Sequence, residues 1–175
     1  MTSDLLTNRV LAALEPIIGD QLKGVSYWAL ENEIAAAGQL DDPQFYFGGE
    51  VELQLLKCGQ IFVGWDENAG WAHHFSLQVR KSSTFVAGSL VPWPANNADG
   101  WTSVVGSRIS RVAVLGHEGV PHVLALSFGS TTVYIGDGSE RTFCDGDDLL
   151  IRIGESDPQL RRLSTLWVTR RSASD

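Results

Sequence analysis

Val51-Glu52-Leu53-Gln54-Leu55, a turn at Gly59 and the run Ile61-Phe62-Val63-Gly64-Trp65 decide how this chain is read. The first run alternates apolar and polar residues, the period of a strand with one buried face, and the second resumes an apolar run after the glycine. Together they predict a β-hairpin. The hairpin leads into Asp66-Glu67-Asn68-Ala69-Gly70-Trp71, where two acids and an amide lie between Trp65 and Trp71. This is the densest cluster of chemically versatile side chains in the sequence.

The same pattern returns further along. Leu124-Ala125-Leu126, a turn at Gly129 and Val133-Tyr134-Ile135-Gly136 echo the first hairpin, and this second one runs on into Asp137-Gly138-Ser139-Glu140. With Ile109–Leu115 before it and a turn at Gly116–Gly119, it predicts a three-stranded meander. A final strand is expected over Leu149–Ile153. Short strands are also expected at Gln44–Phe47, Ala72–Val79 and Thr84–Ala87, whereas Val91–Gly100 reads as a long irregular connection.

The N-terminal part is different. Leu5, Leu6, Val10, Leu11, Leu14 and Ile18 recur at helical spacing, which predicts a helix from about Asp4 to Ile18, with Pro16 kinking or ending it. Val25–Leu30 is ambiguous, with aromatics that favour a strand, and Glu31–Ala37 looks helical up to Gly38. Trp101–Val105 suggests a helical turn, and Asp157-Pro158 signals another short helical start. The expected fold is α+β: a single domain with a helical part over 1–40, an antiparallel β-rich core over 44–153 and a C-terminal helical or extended segment over 157–175.

Composition narrows the function classes. The chain has 175 residues, enough for one substantial core, and its net charge of −8 excludes nucleic acid as an expected ligand, since phosphate binding needs a cationic footprint. The charge is uneven: residues 1–160 carry 9 basic and 20 acidic side chains, whereas 161–175 carry 4 and 1. Arg161, Arg162, Arg170 and Arg171 thus form a basic end, read as a solvated segment whose arginines pair with the acidic body. Cys58 and Cys144 have no neighbouring ligand spacing and read as reduced, buried thiols. Without a signal-like N-terminus or a long apolar run, a cytoplasmic protein with no membrane segment is expected.

Motif by motif, the chemistry thins out. His117-Glu118-Gly119-Val120-Pro121-His122 superficially resembles a zinc helix, but its histidines are five apart with glycine and proline between them, so a hairpin turn is expected. His73 and His74 would point to opposite faces of a strand. Asp145-Gly146-Asp147-Asp148 lacks the spacing of a calcium loop. No metal and no cofactor is therefore expected, and no catalytic residue is assigned.

What remains is binding. Trp65 and Trp71 supply potential anchors, and Asp66, Glu67, Asp137, Glu140, Asp145, Asp147 and Asp148 supply negative charge at hairpin ends, which suits a protein partner with a basic surface. In charge and general character such an acidic domain resembles the immunity proteins that neutralise bacterial toxins, a resemblance that assigns no residue roles. The alternative is a small-molecule site or hydrolase with a pocket around Trp65, Asp66, Trp71 and His73. Homo-oligomers through an exposed strand edge are a further option that sequence does not decide.

Overall fold

The computed structural model describes residues 10–31, 44–66, 76–83, 85, 88–98, 100–138, 143, 148–154 and 158–170. The opening stretch forms the expected hairpin, β3 (Glu50–Leu55) and β4 (Gly59–Asp66), with Val51 opposite Val63 and Leu53 opposite Ile61. β1 (Leu22–Ala29) flanks β3, β6 (Val91–Pro94) flanks β1, and β5 (Ser76–Arg80) flanks β4. These strands make an antiparallel five-stranded sheet in the order β5-β4-β3-β1-β6.

The second sheet contains the meander β7 (Arg111–His117), β8 (Val120–Phe128) and β9 (Thr131–Gly138). Its order is β11-β7-β8-β9-β10-β2, with β2 at Gln44–Phe47, β10 at Asp148–Ile153 and β11 at Ser164–Arg170. Glu118 and Gly119 turn β7 into β8 with φ of 50° and 80°, both in the left-handed region. This is the geometry that a two-residue hairpin demands.

Period-two alternation places one face of each sheet in a shared core. Val25, Tyr27, Val51, Leu53, Ile61, Val63, Leu77 and Val79 of the first sheet join Val112, Val114, Leu124, Leu126, Val133, Ile135, Leu149 and Ile151 of the second in one buried cluster. Each fully buried aliphatic of this kind contributes about 1.5–3 kcal/mol relative to exposure. At the centre, the Trp101 indole N–H donates to the Tyr27 hydroxyl, and burial pushes the Tyr27 pKa above its ordinary range. The outer face of the second sheet is sealed at one end by a smaller cluster of Val123, Leu150, Phe143 and Leu160.

Within the expected N-terminal helix, residues 10–14 are helical and Glu15–Ile17 tighten into a 3-10 turn around Pro16; the positions before Val10 lie outside the described residues. Val10, Leu14 and Ile17 enter the main core, as the spacing predicts. The aromatic run at Val25–Ala29 is strand. Val91–Pro94, expected to be irregular, is also strand: it lies at a sheet edge, where proline is tolerated because the outer side needs no donor. Trp101–Ser103 and Pro158–Arg162 are 3-10 turns. The segments expected at Glu31–Ala37, Ala72–Phe75 and Thr84–Ala87 fall largely outside the described residues.

Gly48-Gly49 carries the chain from β2 in one sheet to β3 in the other. A Cβ on Gly49 would stand 1.9 Å from the Trp28 carbonyl oxygen, so only glycine lets the backbone pass this closely. The crossing fixes which ends of the two sheets lie together.

Candidate functional site

Phe47, next to the crossing, is opposite Leu149, which is in turn opposite Asp137; Glu50, on the far side of the crossing, is opposite Trp28 at the end of β1. Only two residues separate Phe47 from Glu50, a span of about 10 Å. The end of β4 at Asp66, the start of β5 at Ser76, the end of β9 at Gly138 and the start of β10 at Asp148 are therefore all at this one end of the sandwich. β4 and β5 also approach β8 and β9 most closely between the sheets. Both acidic segments singled out in the sequence, 66–71 and 137–148, are rooted here.

Individually, Trp65 is on the interior face of β4 and packs partly buried against the main core. Asp66 closes β4 opposite Ser76. Asp148 opens β10 opposite Gly138 and is half-buried. Glu67, Trp71, His73, Glu140, Asp145 and Asp147 lie outside the described residues, as does Cys144. Asp137 lies inside β9 rather than in the loop beyond it, and is 2% exposed.

Its partner is His122. The His122 Nδ1 is 3.0 and 3.1 Å from the two Asp137 carboxylate oxygens, and both residues are buried. An ionised carboxylate only accepts, so Nδ1 carries the hydrogen and donates it. The pair closes the end of the interior row and ties β8 to β9. His117, the other histidine of the zinc-like motif, is exposed beside Glu118, 3.7 Å from its carboxylate. The two imidazoles serve separate surroundings, and no group of three or more metal-ligating side chains occurs among the described residues.

A second polar assembly covers the outer face of the five-stranded sheet. Glu50, Glu52, Gln78 and Ser26 occupy outward positions yet are 1–8% exposed. Glu50 is 3.7 Å from the Arg80 Nη1. Glu52 accepts 2.7 Å from the Trp28 indole N–H and 3.3 Å from the Gln54 amide. Gly64 lies in the row between Glu50 and Gln78, where a Cβ would stand 3.0 Å from the Glu50 Cγ, so the glycine leaves room for that side chain. The Gln78 amide nitrogen is buried without a hydrogen-bond partner among the described residues.

At the opposite end of the molecule several exposed basic side chains gather. Leu22, at the start of β1, exchanges backbone hydrogen bonds with Gly106 and Ser107 just before β7, which brings the other ends of the sheets together. Lys23, Lys57, Lys81, Arg108 and Arg111 lie there, all but Arg111 exposed. Asp20, buried at the same end, accepts from the backbone N–H groups of Gln21, Lys57 and Cys58 at 2.7–3.1 Å. Burial alone would raise its pKa, but the donors of Cys58, Gln21 and Lys57 together outweigh that and hold the carboxyl below its ordinary value. The Cys58 thiol donates to the Pro16 carbonyl at 3.1 Å, and burial followed by the neighbouring Asp20 charge raises its pKa. The thiol is half-buried rather than fully buried as expected.

Among the described residues, no helix is long and apolar enough to cross a membrane. Comparison with protein-family models, curated proteins and solved structures finds no match.

Sequence reasoning passed over Glu50, Glu52, Gln78 and His122. Alternation assigns the two glutamates to the face opposite the core, but gives no sign that this face is itself withdrawn from water.

Proposed function

We propose that the protein is a non-enzymatic binding protein whose acidic end engages a protein partner with a basic surface. The observation that carries this reading is the convergence of the two acidic segments on one end of the sandwich. The framework whose side chains are described holds 8 acids and 9 bases, four of the acids buried, so the negative charge is concentrated in the remaining segments. Acidic segments rooted on a rigid β frame give long-range attraction and orientation toward a cationic patch. Trp71, at the far end of the first segment, supplies the aromatic area that anchors such contacts, whereas Trp65 packs into the core.

Neutralisation of a basic bacterial toxin is one concrete form of this activity. The test is co-purification of the full chain from its native cell, alongside a variant carrying Asp66→Lys, Glu67→Lys, Asp145→Lys, Asp147→Lys and Asp148→Lys. The expected result is a basic protein that elutes at moderate salt and is lost with the variant. A partner retained equally by both chains removes the proposal.

A further inference from the structure

Arg111, Ser127 and Thr132 stand in one cross-strand row: Arg111 of β7 is opposite Ser127 of β8, and Ser127 is opposite Thr132 of β9. Their chain neighbours Val112, Leu126 and Val133 are in the main core, so alternation places this row on the outer face of the six-stranded sheet. All three are half-buried. Arg170 of β11 is opposite Arg111 in the register, so the row opens with two bases on adjacent strands, an arrangement that repels unless an anion lies against it. The adjoining row, Val168, Ala113, Ala125, Tyr134 and Arg152, adds no carboxylate. Among the described residues no acid or other acceptor meets the Arg111 guanidinium, and its Nε is withdrawn from water without a hydrogen-bond partner. A guanidinium in that state gains from an oxyanion that reaches its remaining N–H groups.

The hydroxyls beside it keep a donor in hand. Ser127 Oγ and Thr132 Oγ1 are 3.1 Å apart and either can donate, so their mutual bond uses one of the two hydroxyl hydrogens and leaves the other. The row ends at Gly154, whose N–H donates to the Thr132 carbonyl and where an added Cβ would meet nothing within 4 Å, so the face is open beside the hydroxyls. Arg108, Lys23, Lys57 and Lys81 are exposed at the same end of the molecule, and their field favours the approach of an anion. We infer that the row of Arg111, Ser127 and Thr132 is a binding site for the phosphate group of a small soluble phosphate monoester. Arg111 and Thr132 flank Ser127, each one strand spacing of about 4.8 Å away, so a phosphate over Ser127 is within reach of both. The guanidinium supplies forked donors and the counter-charge, and the spare hydroxyl hydrogen donates to a further phosphate oxygen. Such a phosphate carries ~1.5–2 negative charges at neutral pH, which answers two bases better than a carboxylate does.

The probes are inorganic phosphate, glycerol 3-phosphate and acetate, each titrated into the full chain at constant ionic strength and followed at the backbone amide resonances of Arg111, Ser127 and Thr132. Both phosphates are expected to shift these signals saturably, and acetate to bind about tenfold more weakly. Arg111→Gln is expected to abolish the saturable shift. Ser127→Ala combined with Thr132→Val removes both hydroxyls, keeps a β-branched residue in β9 and is expected to weaken binding about tenfold. The comparison of anions uses the unaltered chain, so it stands whatever the variants do to folding. No saturable shift with phosphate, equal binding of acetate, or a shift that persists in Arg111→Gln overturns the inference. Vesicles of phosphatidylcholine containing phosphatidic acid offer the same group on a membrane; co-sedimentation with them, in place of a response to glycerol 3-phosphate, overturns the assignment to a soluble ligand. The row lies at the end of the molecule opposite the acidic segments, so either outcome leaves the protein-partner reading standing on its own test.

Discussion

Asp20 shows how much one side chain can organise. Its carboxylate gathers backbone donors from Gln21 and from the β3–β4 turn, stitching the segment before β1 to the hairpin that decides the fold. Because its pKa is held down in the folded state, its stabilisation is present above the unfolded value near 3.8 and is lost as the pH falls through the lower folded value. Asp20→Asn is thus expected to cost about 1.5–3 kcal/mol at neutral pH, the range for hydrogen bonds to a charged group. In denaturant titrations the gap from the parent chain should close below roughly pH 4; a gap independent of pH would show that the charge is irrelevant. Glu118 carries the opposite sign of effect. It is a side chain with φ of 50° where turns of this kind prefer asparagine followed by glycine. Glu118→Asn should add about 0.5–1 kcal/mol, a rise of roughly 2 °C in Tm by calorimetry.

At the scale of elements, the strands follow from alternation and turn residues, and so, in part, does the buried pair. The β8–β9 turn at Gly129-Ser130 sets Phe128 opposite Thr131 and Val123 opposite Gly136; one more step brings His122 to Asp137. That pairing is legible from the turn alone once the strand expected from Val123 is extended by one residue to His122. Burial of Glu50 and Glu52 was not legible. Whether the second face of a sheet is covered depends on chain distant in sequence, which strand periodicity does not encode. β6 departs from the sequence expectation for a local reason, since prolines count against strands except at edges. Ala95 donates to Val25, so continuing the alternation turns the backbone nitrogens of Trp93 and Val91 toward β1 and those of Pro92 and Pro94 outward. The free side of this edge offers no N–H to another strand, a common defence against edge-to-edge pairing. Replacing both prolines by threonine should leave the fold intact and make the sedimenting mass rise with concentration more steeply than in the parent chain.

For the molecule as a whole, the shared core is the main determinant of cooperativity. Side chains from both sheets and from the N-terminal helical segment belong to one buried cluster, so neither sheet retains its apolar face if the other leaves. Denaturant unfolding followed by tryptophan fluorescence and by far-ultraviolet circular dichroism should therefore give one coincident transition. Two separated transitions would mean that the sheets are independent folding units.

The division of charge between the two ends has a consequence for how the protein behaves near any charged interface. A chain of net charge −8 would ordinarily be repelled by a negatively charged matrix. Here Lys23, Lys57, Lys81 and Arg108 project from one end and the acidic segments are rooted at the other, so orientation as well as net charge is expected to govern its adsorption. At neutral pH and low salt it should be retained by both anion and cation exchangers. Immobilised on the cationic resin it would present its lysine end to solvent, and on the anionic resin its acidic end.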